Sequence, residues 1–323
     1  MSPRRRRRAG RAFRPLFRLV ERFVMGGRAV HCLICHRDIE TGIICLGSLL
    51  KYSVVPLHLV LHDDGSLTQA DAERLTTALK GAEIILRPSV DAMINDSLSR
   101  YPRCREYRRR YAYALKLFDV PHLSQMDIAY CDSDILFGRP FSGLFQWPEE
   151  PVSALVSQDF RSSYAFEIGN LFHLYDTRLL SHVNAGVFLA KKEIHDLDYV
   201  EWFLGRDYLK WDKRWFYVEQ TCWAALFCRT RCRMYNPLQV TVMRPGLKLS
   251  DDVVAIHFTS IVRSHLASFA SRGGLNSAEA TRITTIPSSK LDIVEWLRLA
   301  ALKCAKPFRK VDTTLPETWP GRR

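Results

Sequence analysis

Two aspartates two positions apart, Asp132 and Asp134, lie with Ser133 between two apolar runs, Ile128-Ala129-Tyr130-Cys131 and Ile135-Leu136-Phe137. Carboxylates at this spacing point the same way if the chain stays extended. If it turns, both still converge on one ion. Hard divalent cations such as Mg2+ and Mn2+ take such oxygen ligands and keep positions open for phosphate oxygens. A cation held there neutralises a diphosphate and stabilises it as a leaving group. An Asp-x-Asp pair taken alone is also an ordinary polar turn; the apolar flanks and the place in the chain single this one out.

The elements that must position this pair alternate along the chain. Apolar runs at 29–36, 55–61, 82–86 and 127–131 read as strands. Stretches at 39–52, 67–79 and 101–117 read as helices, the second with Thr68 as N-cap and Asp71 and Glu73 in its first turns. Strand–helix alternation at this spacing implies right-handed βαβ units, hence an α/β fold with a mostly parallel sheet covered on both faces. Ligands of such sheets bind beyond the carboxyl ends of the strands. Polar residues gather there: His36, Arg37 and Asp38 after the first strand, Asp63 and Asp64 after the second, Asp132 and Asp134 after the fourth. The second half is less regular, with strands at 151–157, 183–190 and 253–258 and helices at 216–227 and 288–306.

The chain has 323 residues, 47% of them hydrophobic, which suffices for a sizeable core. Its net charge of +13 is unevenly placed: residues 1–28 hold ten arginines against the single acid Glu21. This arm also carries Phe13, Leu16, Phe17, Leu19, Val20, Phe23 and Val24, the pattern of a short amphipathic helix suited to an anionic membrane surface. Charge alone would favour nucleic acid, so no nucleic-acid partner is expected. Nine cysteines, an odd number and several of them within apolar runs, imply a reducing compartment without a disulfide framework. No run of 18 apolar residues is present, and arginines interrupt the apolar stretch near the start. The expected location is the cytoplasm, peripheral at the inner membrane face.

The stretch 113–118 (Tyr-Ala-Leu-Lys-Leu-Phe), followed by 127–136 around the aspartate pair, resembles the core of family 8 glycosyltransferases. Three further segments occur in that family's order: Asn184-Ala185-Gly186, Glu219-Gln220, and His257 with Arg263 six residues on. The likeness spans roughly residues 29–265. It implies a GT-A fold, a nucleotide-sugar donor, usually UDP-linked, a Mn2+ or Mg2+ cofactor and retention of anomeric configuration. It further implies that Asp132, Asp134 and His257 hold the metal, and that Lys116 and Arg263 contact the diphosphate. Asn184, Ala185 and Gly186 would line the donor sugar, with Glu219 or Gln220 beside the reacting carbon. The nucleotide would lie along Cys35, His36, Asp38 and Asp63, with Ser133 in the donor-binding turn. The sequence departs from the family pattern in having Ser260 for Gly, Arg263 for Lys, Lys116 for the frequent Arg and Glu219 for Asp. Were the reaction inverting, Glu219 or Asp159 would be the candidate base. The acceptor is left open among glycan, lipid and protein.

Other readings carry less. Cys32 and Cys35 have zinc-knuckle spacing, but a strand points them to opposite faces. The basic run Arg100, Arg103, Arg105, Arg108, Arg109 and Arg110 spreads around a helix and reads as a solvated surface or an acidic-acceptor contact. A sugar nucleotidyltransferase would show a Gly-rich phosphate loop, which residues 36–42 lack. A non-catalytic module that binds nucleotide-sugar or anchors through the arm is the remaining alternative. The expected organisation is a basic arm at 1–28, a catalytic domain at 29–265 and a C-terminal helical extension at 266–323.

Overall fold

The structure, a computed structural model, describes residues 27–166, 178–209, 211–274 and 279–295, and positions 297–298, 301, 315–316 and 319–320. The basic arm up to residue 26, and most of the stretch expected as a helix over 288–306, lie outside these. The first half runs β1 (Arg28–Ile34), α1 (Ile39–Tyr52), β2 (Leu57–Asp63), α2 (Gln69–Ala78), β3 (Glu83–Ile85), α3 (Arg87–Ser97), α4 (Pro102–Arg110), α5 (Ala114–Leu123) and β4 (Ile128–Cys131). Then follow β5 (Ile135–Phe137), β6 (Phe141–Ser142), β7 (Ala154–Gln158), β8 (Val183–Ala190), α6 (Leu197–Leu204) and α7 (Trp211–Cys228). The last described elements are β9 (Cys232–Tyr235), β10 (Val240–Val242), β11 (Ala255–His257), α8 (Leu266–Ser271), β12 (Thr281–Arg282) and β13 (Thr285–Pro287).

Eight strands form the central sheet in the order β13-β9-β7-β8-β4-β1-β2-β3, in which only β8 and β13 run against the other six. The parallel part is the βαβ half anticipated from the alternation. Helices cover both faces. Val30, Cys32 and Ile34 of β1 pack with Ile39, Leu46 and Leu49 of α1 on one side. Tyr130, Phe188, Trp223 and Phe227 form the aromatic centre of the other. A small sheet, β10-β11-β5, stands beyond the carboxyl end of β4. Its β5 begins three residues past Asp132, and β11 pairs antiparallel with it, His257 opposite Ile135.

The helix expected over 101–117 is two helices. Tyr111 adopts an extended conformation (φ −129, ψ 125) and ends α4, and α5 then runs on past residue 117 to Leu123. The break has a cause. Arg108 of α4 makes a bidentate pair with Asp119 of α5, both bonds 2.7 Å, and a third bond of 2.7 Å to Asp91 of α3. In one straight helix positions 108 and 119 would lie about 16 Å apart. Arg108 is thus buried, not part of a solvated basic surface. A buried pair of this kind ties three helices together behind the sheet. Helix α3 escaped the sequence reading because its start, Leu86-Arg87-Pro88, has no polar N-cap. Thr68 does cap α2, in a reciprocal capping box with Asp71.

The segment from 266 on is not only helical. It supplies β12, which pairs with β6, and β13, which closes one edge of the central sheet. Near its end, buried Trp319 fills a slot over Gly138, where any Cβ would meet the indole at 2.4 Å. Among the described residues no helix is long and apolar enough to cross a membrane.

His31 of β1 and His62 of β2 are buried side by side, Nδ1 to Nε2 at 2.8 Å. Burial, aided by nearby His58, lowers His31 to about 4, and burial also lowers His62. Both are neutral in the folded state, whereas in the unfolded chain they take up protons near pH 6.5. Stability is therefore full above about pH 6.5 and falls as the pH drops towards 4, by on the order of 3 kcal/mol from His31 alone. Urea titrations from pH 7.5 to 4.5 should show this fall, and the double variant His31→Asn/His62→Asn should flatten it.

Candidate active site

Strand β4 delivers Asp132 and the turn after it delivers Asp134. The backbone N–H of Asp132 donates to Gly186 O of β8 at 2.7 Å. Asp134 O in turn accepts from Phe258 N at 2.9 Å, which fixes β11 and its His257 beside the pair. One ligand atom from each of Asp132, Asp134 and His257 lies within 4.8 Å of the others. His257 Nε2 is 3.0 Å from Asp134 Oδ1 and 3.8 Å from Asp132 Oδ2. The three side chains expected to hold a cation are thus brought together.

Which nitrogen of His257 carries the proton follows from Asn184. Its Oδ1 accepts from Gly186 N at 3.0 Å, so this atom is an acceptor, and it lies 3.0 Å from His257 Nδ1. Nδ1 must therefore be the N–H, and the neutral ring turns the lone pair of Nε2 towards Asp134. Two acceptors then face each other at 3.0 Å, and buried Asp134 Oδ1 has no hydrogen-bond donor among the described residues. That arrangement is repulsive unless a proton or a cation lies between them. An imidazole Nε2 and two carboxylates suit Mn2+ or Mg2+ with positions left for phosphate. Without a cation, burial would push Asp134 up, but protonated His257 and Arg263 hold it at about 2. His257 is raised in return, its burial outweighed by Asp134 and Asp132.

Asn184 is buried, and its amide oxygen is committed to the imidazole and to Gly186. Through this oxygen Asn184 orients His257. Gly186 completes this support, because a Cβ there would meet His257 Cε1 at 2.5 Å and Nδ1 at 2.7 Å. Gln220 accepts from Ala185 N at 3.3 Å and donates to Ser163 O at 2.9 Å, so it holds the start of β8 in place.

Lys116 and Glu219 lie deeper. Lys116 Nζ is 3.3 Å from Asp132 Oδ1 and 3.7 Å from Glu219 Oε1. Burial would lower Lys116, but Asp132 and Glu219 outweigh it and keep it charged. Burial raises Glu219 to about 7, against the pull of Lys116. Tyr130 donates to Asp132 Oδ1 at 2.7 Å, and Lys116 lies 4.5 Å from the centre of its ring. The sequence reading gave Tyr130 no role. Its signal was the strand period, which puts residues 130 and 132 on one face.

Arg263 spans the cleft, donating to Asp38 Oδ2 at 2.8 Å and to Asp134 Oδ2 at 2.5 Å. Asp38 is thereby joined to the Asp132, Asp134 and His257 cluster. Cys35 is half-buried nearby, and Ser133 is buried against Gly42 of α1. His36 stands at the exposed rim, bonded to Asp71 at 2.7 Å. Asp63 is not available to a nucleotide: its oxygens accept from the backbone N–H groups of Gly65, Leu67 and Arg87 and shape the loop. Asp159 is held by Phe160 N and pushed up by burial.

The sequence matches no protein-family model and no curated protein. Among solved structures, mouse xyloside xylosyltransferase 1 superposes with a TM-score of 0.50 at 10% identity, over 73% of this chain and 99% of that one. The chain has the GT-A fold. The bifunctional glycosyltransferase WbbM gives 0.49 at 10% identity, over 74% of this chain, which spans about half (46%) of that protein. The galactosyltransferase LgtC with donor and acceptor sugar analogues gives 0.47 at 11% identity, over 77% of this chain and 98% of that one.

Two substitutions probe the site's construction. Gly186→Ala should force the imbedded imbalance of space onto His257 and Asn184, costing about 1–3 kcal/mol in urea unfolding. Lys116→Met leaves buried Glu219 and Asp132 facing each other and should cost about 3–5 kcal/mol, and adding Glu219→Gln should recover much of that loss.

Proposed function

We propose that the chain is a metal-dependent glycosyltransferase. It would move a hexosyl group from a nucleotide-diphosphate donor, a UDP-sugar in preference, to an acceptor hydroxyl. The observation that carries this is the facing of buried Asp134 Oδ1 and His257 Nε2 at 3.0 Å, with Asp132 beside them, at the carboxyl end of β4. Ligands of mostly parallel sheets bind beyond the carboxyl ends of the strands, which supports a donor diphosphate at this end.

Asp132, Asp134 and His257 would hold Mn2+ or Mg2+, which supplies positive charge against the diphosphate. Arg263, now divided between Asp38 and Asp134, is positioned to turn one donor towards a phosphate oxygen. As the bond from the anomeric carbon to the phosphate oxygen breaks, charge develops on the phosphate, and Arg263 and Lys116 lie where they stabilise it. Glu219, raised by burial to about 7, sits by Lys116 and would face the sugar. In the retaining course implied by the family resemblance, the acceptor oxygen bonds to the anomeric carbon on the departing side. Its proton passes to the leaving phosphate oxygen, so no separate base is needed.

The test is nucleotide release from a panel of UDP- and GDP-sugars, with Mn2+ and with a chelator. Release that requires the metal and is lost by at least about a hundredfold in Asp134→Ala, with folding intact, is the expected result. Metal-independent release, or full release by Asp134→Ala, would remove the proposal. The anomeric configuration of the product, read by NMR, decides retention.

A further inference from the structure

Three aromatic rings stand exposed where α5 and α7 begin, Tyr113 and Phe216 each in contact with Trp215. Tyr113, Trp215 and Phe216 are 43%, 39% and 45% exposed. The Trp215 ring lies 5.6 Å from that of Tyr113 and 5.7 Å from that of Phe216, and stacks on Tyr111 at 5.7 Å with an interplanar angle of 9°. Scattered surface aromatics need no explanation, but a contiguous group beside a cleft does.

The group is built, not loose. The backbone of Arg214 leaves the helical region (φ −136, ψ 30) just before Trp215. On either side of this kink, Tyr107 donates its hydroxyl to Trp215 O at 3.3 Å and Tyr111 to Trp211 O at 3.4 Å. Both tyrosines come from the α4 end and the extended break after it, so the interrupted helix is what brings them here.

Its place is fixed by helix geometry. Helices α5 and α7 pack together, and Lys116 of one meets Glu219 of the other at 3.7 Å. Tyr113 precedes Lys116 by three residues, and Trp215 and Phe216 precede Glu219 by four and three. Residues at those separations share a helix face. The ring contact is therefore about one turn, or about 5.4 Å, outward from the Lys116–Glu219 contact. Lys116 touches Asp132, and Tyr113 lies within electrostatic range of Asp132, Asp134 and Arg263. The aromatic cluster thus lies about one helical turn from the Lys116 contacts with Asp132 and Glu219.

We propose that Tyr113, Trp215 and Phe216 form the acceptor subsite and that the acceptor is a saccharide. A pyranose offers a flat face of C–H groups ringed by hydroxyls. Those hydrogens carry partial positive charge and settle on the negative faces of aromatic rings. The tyrosine hydroxyl of Tyr113 is placed to meet the sugar's polar rim. An open cluster of rings, with Tyr113 tilted 34° and Phe216 turned 86° to Trp215, lets a pyranose rest on one ring face and meet ring edges beside it, and suits such a ligand better than an acyl chain, which needs an enclosed apolar groove. This assignment rests on the transferase reading for the word acceptor, but the binding surface stands on its own geometry.

Saturation-transfer-difference NMR tests it on the whole protein, using the methyl α- and β-pyranosides of glucose, galactose and xylose, and lactose. Transfer concentrated on the C–H protons of one pyranose face is expected for at least one of them. It should fall about fivefold or more in Trp215→Ala and in Tyr113→Ala, and return in part in Trp215→Phe, which restores a ring. If Trp215→Ala does not fold, Tyr113→Ala, an exposed position, decides. No transfer to any of these sugars, or undiminished transfer in the folded alanine variants, overturns the proposal. The readout needs no turnover. Saccharide binding without nucleotide release removes the transferase reading and leaves the subsite, and the reverse outcome removes the subsite alone.

Discussion

Buried Asp134 Oδ1 and His257 Nε2, held 3.0 Å apart, are the constraint around which this protein is arranged. With a neutral imidazole both are acceptors and repel, so the fold must supply both the clamp that keeps them there and a positive charge, a proton on the ring or a cation, that reconciles them. The clamp is backbone: β5 and β11 pair side by side, with the Phe258 N–H on Asp134 O. Asn184 adds the direction, since its oxygen admits only the Nδ1–H tautomer of the ring. Positive charge comes from Arg263 on one side and Lys116 on the other.

Around this centre Asp38, Asp132 and Asp134 are met by Arg37, Arg263 and Lys116, and burial raises Glu219. Removing one member of such a buried set leaves its partner uncompensated. The same charges explain why Tyr130, an otherwise apolar strand residue, turns its hydroxyl to Asp132.

Much of this was legible in the sequence, for physical reasons. The strand–helix alternation reports how each element buries one face, so the parallel half of the sheet could be read directly, and α1 was read with its observed bounds. The aspartate pair was legible because polar groups between two buried strands need a purpose. The convergence of Asp132, Asp134 and His257 came from an ordered resemblance, since residue 257 is remote in the chain and nothing local announces its neighbours. What could not be read were tertiary commitments. Asp63 looked like a ligand contact because its three backbone donors are invisible in one dimension. Arg108 looked solvated because its partner Asp119 lies across a helix break that no proline or glycine marks. Asn184 was placed at the right strand end, but its oxygen faces inward to a histidine from another sheet.

The slot over Gly138 has a bearing on how the molecule is made. The packing behind β5 and β11 comes from Met243, Val253, Phe258, Leu266 and Phe269, and its last member is Trp319. A chain emerging from the ribosome presents its N-terminal part first. The β1–β4 half can therefore assemble early, while the wall that steadies Asp134 and His257 waits for Trp319, which is synthesised after both. Until Trp319 arrives, the nascent chain holds its two aspartates without the full packing behind the histidine, so the cluster gains its rigidity late.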